Sequence, residues 1–203
     1  MSAQAATHLM DTYIARTPPT LPMPHGPFEA LAQPGHRFLV AREGLYLEAR
    51  RRWLHAVLPL AASPVALPYG SATAVQGVQL LCNSIPDALL REFEQLARAA
   101  FPLETAAWIV WHEASRRFQL QPLVALTATA EHLQYARPIL DDGWELVMDL
   151  HSHGASGAFF STQDDTDDRA SGEVKLAGVV GRVNDAPEWQ FRLAACGVFK
   201  EIA

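Results

Sequence analysis

Cysteine is scarce in this sequence: two in 203 residues, Cys82 and Cys196. Each sits in an apolar run, "VQLLCN" or "LAACGVF", where a free thiol behaves as a small hydrophobe. With no C-x-x-C pair, nothing suggests a disulfide framework or a thiolate metal site, and a reducing compartment suits the chain. Basic runs are also scarce. Arg50-Arg51-Arg52 is the only dense one and reads as a solvated strand edge, while a net charge of −6 argues against affinity for nucleic-acid backbones. No stretch approaches the roughly 18 apolar residues of a membrane span. The opening "MSAQAATHLMDTYIARTPP" lacks the cationic start and apolar run of a secretory signal. The expectation is a soluble, cytoplasmic protein with neither nucleic acid nor membrane among its partners.

What is present is ordinary globular material: 49% hydrophobic and 19% charged residues, enough for one large domain or two small ones. No internal repeat is visible. Nine of the fourteen prolines precede residue 70, and six fall between Pro18 and Pro34; such a segment excludes regular helix and reads as an extended lead-in. Phe38-Leu39-Val40 and Leu45-Tyr46-Leu47 flank "REG" as a β-hairpin would. "WLHAVLPLAA" and "GVQLLC" add candidate strands. Residues 1–83 are therefore expected to form a proline-rich lead-in and a small β-rich region.

"SIPDALLREFEQLARAAFP" predicts a helix, with Ser84 as N-cap, Pro86 in the first turn and Pro102 as its stop. Leu89, Leu90, Phe93, Leu96 and Ala97 make its apolar stripe. "ETAAWIVWHE", "RFQLQPLVAL" and "GWELVMDLHSH" read as strands, and so do "EVKLAGVVGRV" and "WQFRLAACGVF". A short acidic helix precedes the last two. Residues 84–203 thus predict an α/β (α+β) domain.

The chemistry concentrates in "DLHSHGASGAFFSTQDDTDD". His151 and His153 end an apolar strand, and alternation points both imidazoles from one face with Cα atoms roughly 6–7 Å apart. Two nitrogens so placed can converge on one zinc ion at about 2.0–2.1 Å, leaving a carboxylate and an open position for water to complete a catalytic set. Asp164, Asp165, Asp167 and Asp168 are all candidates for that carboxylate. Ser161 and Asp164 also fit an S-x-x-D capping box at the start of the acidic helix; a cap of that kind holds Asp164 in place.

Taken together, His151, His153, Ser161 and Asp164 spell H-x-H-x7-S-x2-D, which resembles the signature of the JAB/MPN-type metalloproteases, the JAMM motif. The element order from 84 to 203 is similar to that family's, which implies its cytidine-deaminase-like mixed sheet flanked by helices. The resemblance implies that His151, His153 and Asp164 bind zinc and that Ser161 stabilises the oxyanion at the scissile carbonyl. It also implies an upstream glutamate acting through the water. That role falls on Glu104 in "FPLETAAWIVW", directly after the first helix, with Glu113 at the far end of the same strand as its rival. His112 and His132 are left as structural histidines. The sequence departs from the family where proline commonly follows the second histidine and here stands Gly154. It departs again at "AAWIVW", whose Trp108 and Trp111 read as packing residues.

Across its whole length, through "AAWIVW", "DLHSHG", "FFS" and "KLAGVVG", the chain also resembles the JAB-type members of PRTRC plasmid gene systems. That likeness implies a zinc peptidase or isopeptidase cutting at the C-terminus of a ubiquitin-like protein or its conjugate, with an activating-enzyme-like protein as a further partner. The alternatives are a non-catalytic MPN-like scaffold with a structural zinc, and a zinc-stabilised domain whose fourth position is closed by another side chain.

Overall fold

The computed structural model describes residues 19–202, so the stretch that lacks a signal pattern lies outside the described residues up to residue 18. Thirteen strands and two helices are found among the described residues, an α+β architecture. The chain divides into two compact units. One holds the residues up to Arg50 together with His55–Gln79; the other holds Arg51–Leu54 and everything from Leu80 on.

In the first unit the expected hairpin forms from β2 (Gly35–Ala41) and β3 (Gly44–Arg50), with Phe38 opposite Leu47 and Leu39 opposite Tyr46. The proline-rich lead-in supplies β1 (Thr20–Pro22), a short edge strand parallel to β2. Proline suits such an edge because it has no N–H to give a ladder. β4 (Leu54–Ala62) and β5 (Gly77–Leu80) complete a sheet in the order β1-β2-β3-β4-β5. Met23, Leu39, Ala41, Tyr46, Val57 and Ala72 form the buried cluster beneath Phe28, Tyr69 and Val75.

In the second unit α1 (Asp87–Ala100) starts later than its sequence suggests: Pro86, not Ser84, is the N-cap. The residue before a proline is pushed out of the helical region, so Ile85 bars an earlier start. Phe93 and Ala97 bury the stripe of α1 against β6 (Ala106–His112) and β7 (Arg117–Pro122). "RFQLQPLVAL" does not run as one strand. It breaks after Pro122, and β8 (Ala125–Ala128) pairs instead with β9 (Leu133–Tyr135) as a separate hairpin. β10 (Trp144–Ser152) ends in the histidines, α2 (Thr162–Ser171) follows, and β11 (Val174–Gly181) returns beside β10. "WQFRLAACGVF" also divides, into β12 (Glu188–Ala195) and β13 (Val198–Ile202), with Cys196 and Gly197 turning at positive φ.

The six-stranded sheet runs β13-β12-β11-β10-β6-β7, and only the β10–β11 pair is parallel. A parallel pair needs a crossover, and α2 is that crossover. The carboxyl end of β10 and the amino end of α2 are thereby brought to the same edge of the sheet. Trp108 and Trp111 are buried in β6, the packing role expected of them.

Candidate metal centre

The site is assembled by three local rules. Alternation along β10 puts Asp149, His151 and His153 on one face and turns Ser152 to the other, where it is fully buried. Ser152 accepts a hydrogen bond on Oγ from the Thr105 N–H at 3.0 Å, and its own N–H donates to the Thr105 carbonyl at 3.0 Å. β6 meets β10 with Ala106 opposite His151, so continuing that register sets Glu104 opposite His153. The Glu104 N–H donates to the Thr129 carbonyl at 2.8 Å, tying it to the β8–β9 hairpin.

The chain then turns at Gly154, whose φ of +54° explains the departure from proline at that position. Proline is locked near −65° and cannot make this turn. The loop beyond is held against the end of β11: the Val183 N–H donates to the Gly154 carbonyl at 3.0 Å and the Arg182 N–H to that of Ser156 at 2.8 Å. At Gly181 a Cβ would lie 2.3 Å from the Ala158 nitrogen, so only glycine lets the loop approach so closely.

Ser161 then caps α2. Its Oγ accepts from the Asp164 N–H at 3.2 Å, while Asp164 Oδ2 accepts from the Ser161 N–H at 2.6 Å and from its hydroxyl at 2.7 Å. The reciprocal box fully engages one carboxylate oxygen. The other, Oδ1, faces His151 Nε2 at 3.4 Å, and His151 Nε2 is 3.1 Å from His153 Nε2. The three ligand atoms all lie within 4.8 Å of one another. A tetrahedral ion with bonds of about 2.0–2.1 Å separates its ligands by roughly 3.3 Å, so the spacing of these atoms fits a zinc ion.

Electrostatics fit as well. His153 is held below its ordinary pKa by burial first and by His151 second, which favours the neutral, ligating imidazole. Phe159 packs edge-on against its ring, with centroids 4.5 Å apart. Glu104 lines the same cavity of about 230 Å³. Burial, then Asp164, then Glu131 push its carboxyl up to about 7. Such a group can take and return a proton near neutrality. Glu113 lies elsewhere, paired with Arg52 at 3.1 Å, and Arg52 also reaches Glu145 at 3.3 Å. Arg52 is thus an ion-pair partner on the exposed face. His112 is half-buried, edge-on to Trp144, and His132 stands exposed at the rim of the cavity.

Of the four aspartates that were candidates for the metal carboxylate, Asp164 alone joins the histidines, and two of the others are held by cations. Asp168 is buried, bridged by Lys175 Nζ at 2.8 Å and Arg192 Nη2 at 2.7 Å, and Asp165 is half-buried against Arg192. Lys175 also reaches Asp149 Oδ2 at 2.7 Å, and the Tyr135 hydroxyl donates to the same carboxylate at 3.1 Å. Burial works against the Lys175 ammonium, but Asp149 and Asp168 outweigh it and hold its pKa above the ordinary value. The Arg192 guanidinium lies between the Phe160 and Phe199 rings, 3.9 and 4.0 Å from their centroids. The missed signal was a charge inside each buried strand, Lys175 in "VKLAGVVG" and Arg192 in "FRLAA". A charge so placed needs a partner.

Residues 86–194 match the family described as prokaryotic homologs of the JAB domain. Residues 8–80 match a domain of unknown function, DUF2016. No curated protein matches the chain. Among solved structures, the solution structure of protein DSY2949 from Desulfitobacterium hafniense is similar at 19% identity and a TM-score of 0.44, covering 57% of this chain and 86% of that one. No helix among the described residues is long and apolar enough to cross a membrane.

Proposed function

The chain belongs to the prokaryotic homologs of the JAB domain, and from that premise we propose that it is a zinc-dependent hydrolase of peptide or isopeptide bonds of the JAMM type. One observation carries the reading: three metal-ligating atoms of His151, His153 and Asp164 converge in a cavity that also holds the half-buried Glu104. Zinc held by those three residues supplies, when bound, a Lewis acid and a more acidic water. Glu104 takes the proton of the attacking water and returns it to the leaving amine. Ser161, already oriented by the capping box, turns its hydroxyl from Asp164 to the oxyanion. No covalent intermediate is formed, and neither cysteine lines the cavity.

The substrate we assign is the C-terminal tail of a ubiquitin-like protein or its isopeptide conjugate, cut in the cytoplasm, with an activating-enzyme-like protein of the same PRTRC-type system as partner. The resemblance carried by "AAWIVW", "DLHSHG" and "KLAGVVG" supports this assignment.

The test pairs metal content with cleavage of a ubiquitin-like fusion. Wild type should hold one zinc per chain and His153→Ala none. Wild type should cleave, and Glu104→Gln should be slower by about 10²–10⁴-fold. Zinc bound without cleavage by wild type would indicate a non-catalytic scaffold with a structural ion. Cleavage undiminished in Glu104→Gln would remove Glu104 from its role.

A further inference from the structure

The helix that carries Asp164 has almost nothing apolar to hold it down. α2 reads TQDDTDDRAS, with no large hydrophobic side chain, and Asp168 is its buried residue. A helix that is polar all round cannot be positioned by burying an apolar face. Two cations anchor it to the sheet instead, Arg192 on β12 and Lys175 on β11.

Lys175 differs from Arg192 in what it joins. Its ammonium lies 2.8 Å from Asp168 Oδ1 and 2.7 Å from Asp149 Oδ2. Asp149 stands two residues before His151 on the same face of β10, and Asp168 stands four residues after Asp164, one turn along α2. The same strand and helix therefore meet at two successive rungs. One is Asp149–Lys175–Asp168, and the other is His151 facing Asp164 at 3.4 Å. We propose that Lys175 is a positioning residue for the metal, setting the spacing between β10 and α2 that brings Asp164 to the two histidines. The proposal rests on the zinc reading of that site.

Stability alone does not call for this arrangement, since a buried ion pair can often be exchanged for apolar residues of similar volume without loss. What an apolar exchange would not reproduce is a fixed span between two carboxylates, one on each ligand-bearing element. Residues that orient ligands from behind typically change metal affinity by about 10–100-fold when altered.

Two variants of the full chain test the role. Lys175→Met with Asp149→Asn removes the bridge and leaves Asp168 paired with Arg192. Lys175→Arg keeps the charge and changes the span. Zinc affinity is read by competition with a chelator, the ligand set by the visible spectrum of the cobalt-substituted protein, and the fold by circular dichroism on the same samples. The expected result is folded protein with zinc binding about 10–100-fold weaker and a cobalt spectrum displaced toward that of Asp164→Ala. A merely structural role would lower the thermal midpoint and leave the spectrum of the bound ion unchanged. Wild-type affinity and spectrum in folded Lys175→Arg would overturn the proposal even if the double variant failed to fold. Wild type that binds no zinc would overturn this proposal and the zinc reading together, whereas tight binding by wild type and variants alike would overturn this proposal alone.

Discussion

Glu48 in the first unit and Glu104 in the second are both withdrawn from water, and the two units treat them in opposite ways. Glu48, fully buried in β3, is met by the Arg37 guanidinium, by His55 Nε2 at 2.9 Å and by the Leu31 N–H at 2.7 Å. Glu104 meets no such cation among the described residues: burial first, then the neighbouring carboxylates Asp164 and Glu131, push its pKa up to about 7. Desolvating a carboxylate is costly, and folding ordinarily offsets that cost with donors and cations. The first unit does so. The second leaves the cost standing in the lining of a cavity, beside three atoms that could hold a metal ion, a placement typical of functional sites.

The comparison breaks if neutralising the two glutamates has like consequences. The largest difference should appear in rate. Glu104→Gln should lower cleavage of a ubiquitin-like fusion by about 10²–10⁴-fold, measured as kcat/KM, while the protein stays folded. The next is in stability: Glu48→Ala strands Arg37 and His55 and should cost about 3–5 kcal/mol. Denaturant titration with amide exchange across β2 and β3 would measure it, and a loss below about 1 kcal/mol would mean that Glu48 is not the keystone its contacts suggest.

Ser161 sharpens the comparison because it caps α2 and the proposed function gives it a chemical role as well. Ser161→Ala should destabilise α2 by about 1 kcal/mol through the lost cap. It should also slow cleavage by about 10²–10³-fold through the lost oxyanion donor. Ser161→Gly, which costs an N-cap only a few tenths of a kcal/mol and has no side-chain donor, should recover most of the stability and not the rate. Equal recovery of both would reduce the serine to a cap.

The smallest effect is in pH. Burial, with Asp164 and Glu131 beside it, raises the Glu104 pKa in the folded protein to about 7 from an ordinary value near 4.5. A carboxyl with a raised folded pKa holds its proton more tightly when folded, so it lowers stability as pH climbs through that window. Below pH 4.5 metal-free wild type and Glu104→Gln should melt alike. Above pH 7 the variant should be the more stable, by roughly 1 kcal/mol after solvent screening, or about 2–4 °C. A constant difference across the window would show that the shift is absent.

The part of the site that could be read from sequence is the part fixed by local geometry. Alternation along a strand places His151 with His153, and an S-x-x-D cap places Asp164 relative to Ser161; both patterns are visible within four residues. The hairpin at β2 and β3 was visible for the same reason. What escaped was long-range. Lys175 meets Asp149 and Asp168 across three elements, and no local periodicity announces which carboxylate a buried lysine will find. Asp168 therefore looked like one more surface charge in an acidic helix. Boundaries escaped where a single residue decides them, as with Ile85 before Pro86 at the start of α1, and at the Cys196–Gly197 turn that divides β12 from β13.

The most direct test of the central claim is anomalous scattering at the zinc edge from crystals of the zinc-loaded chain. The account predicts one peak at about 2.0–2.2 Å from His151 Nε2, His153 Nε2 and Asp164 Oδ1, with a water in the fourth position within hydrogen-bond reach of Glu104. A peak elsewhere, or one whose fourth position is closed by a side chain, would contradict it.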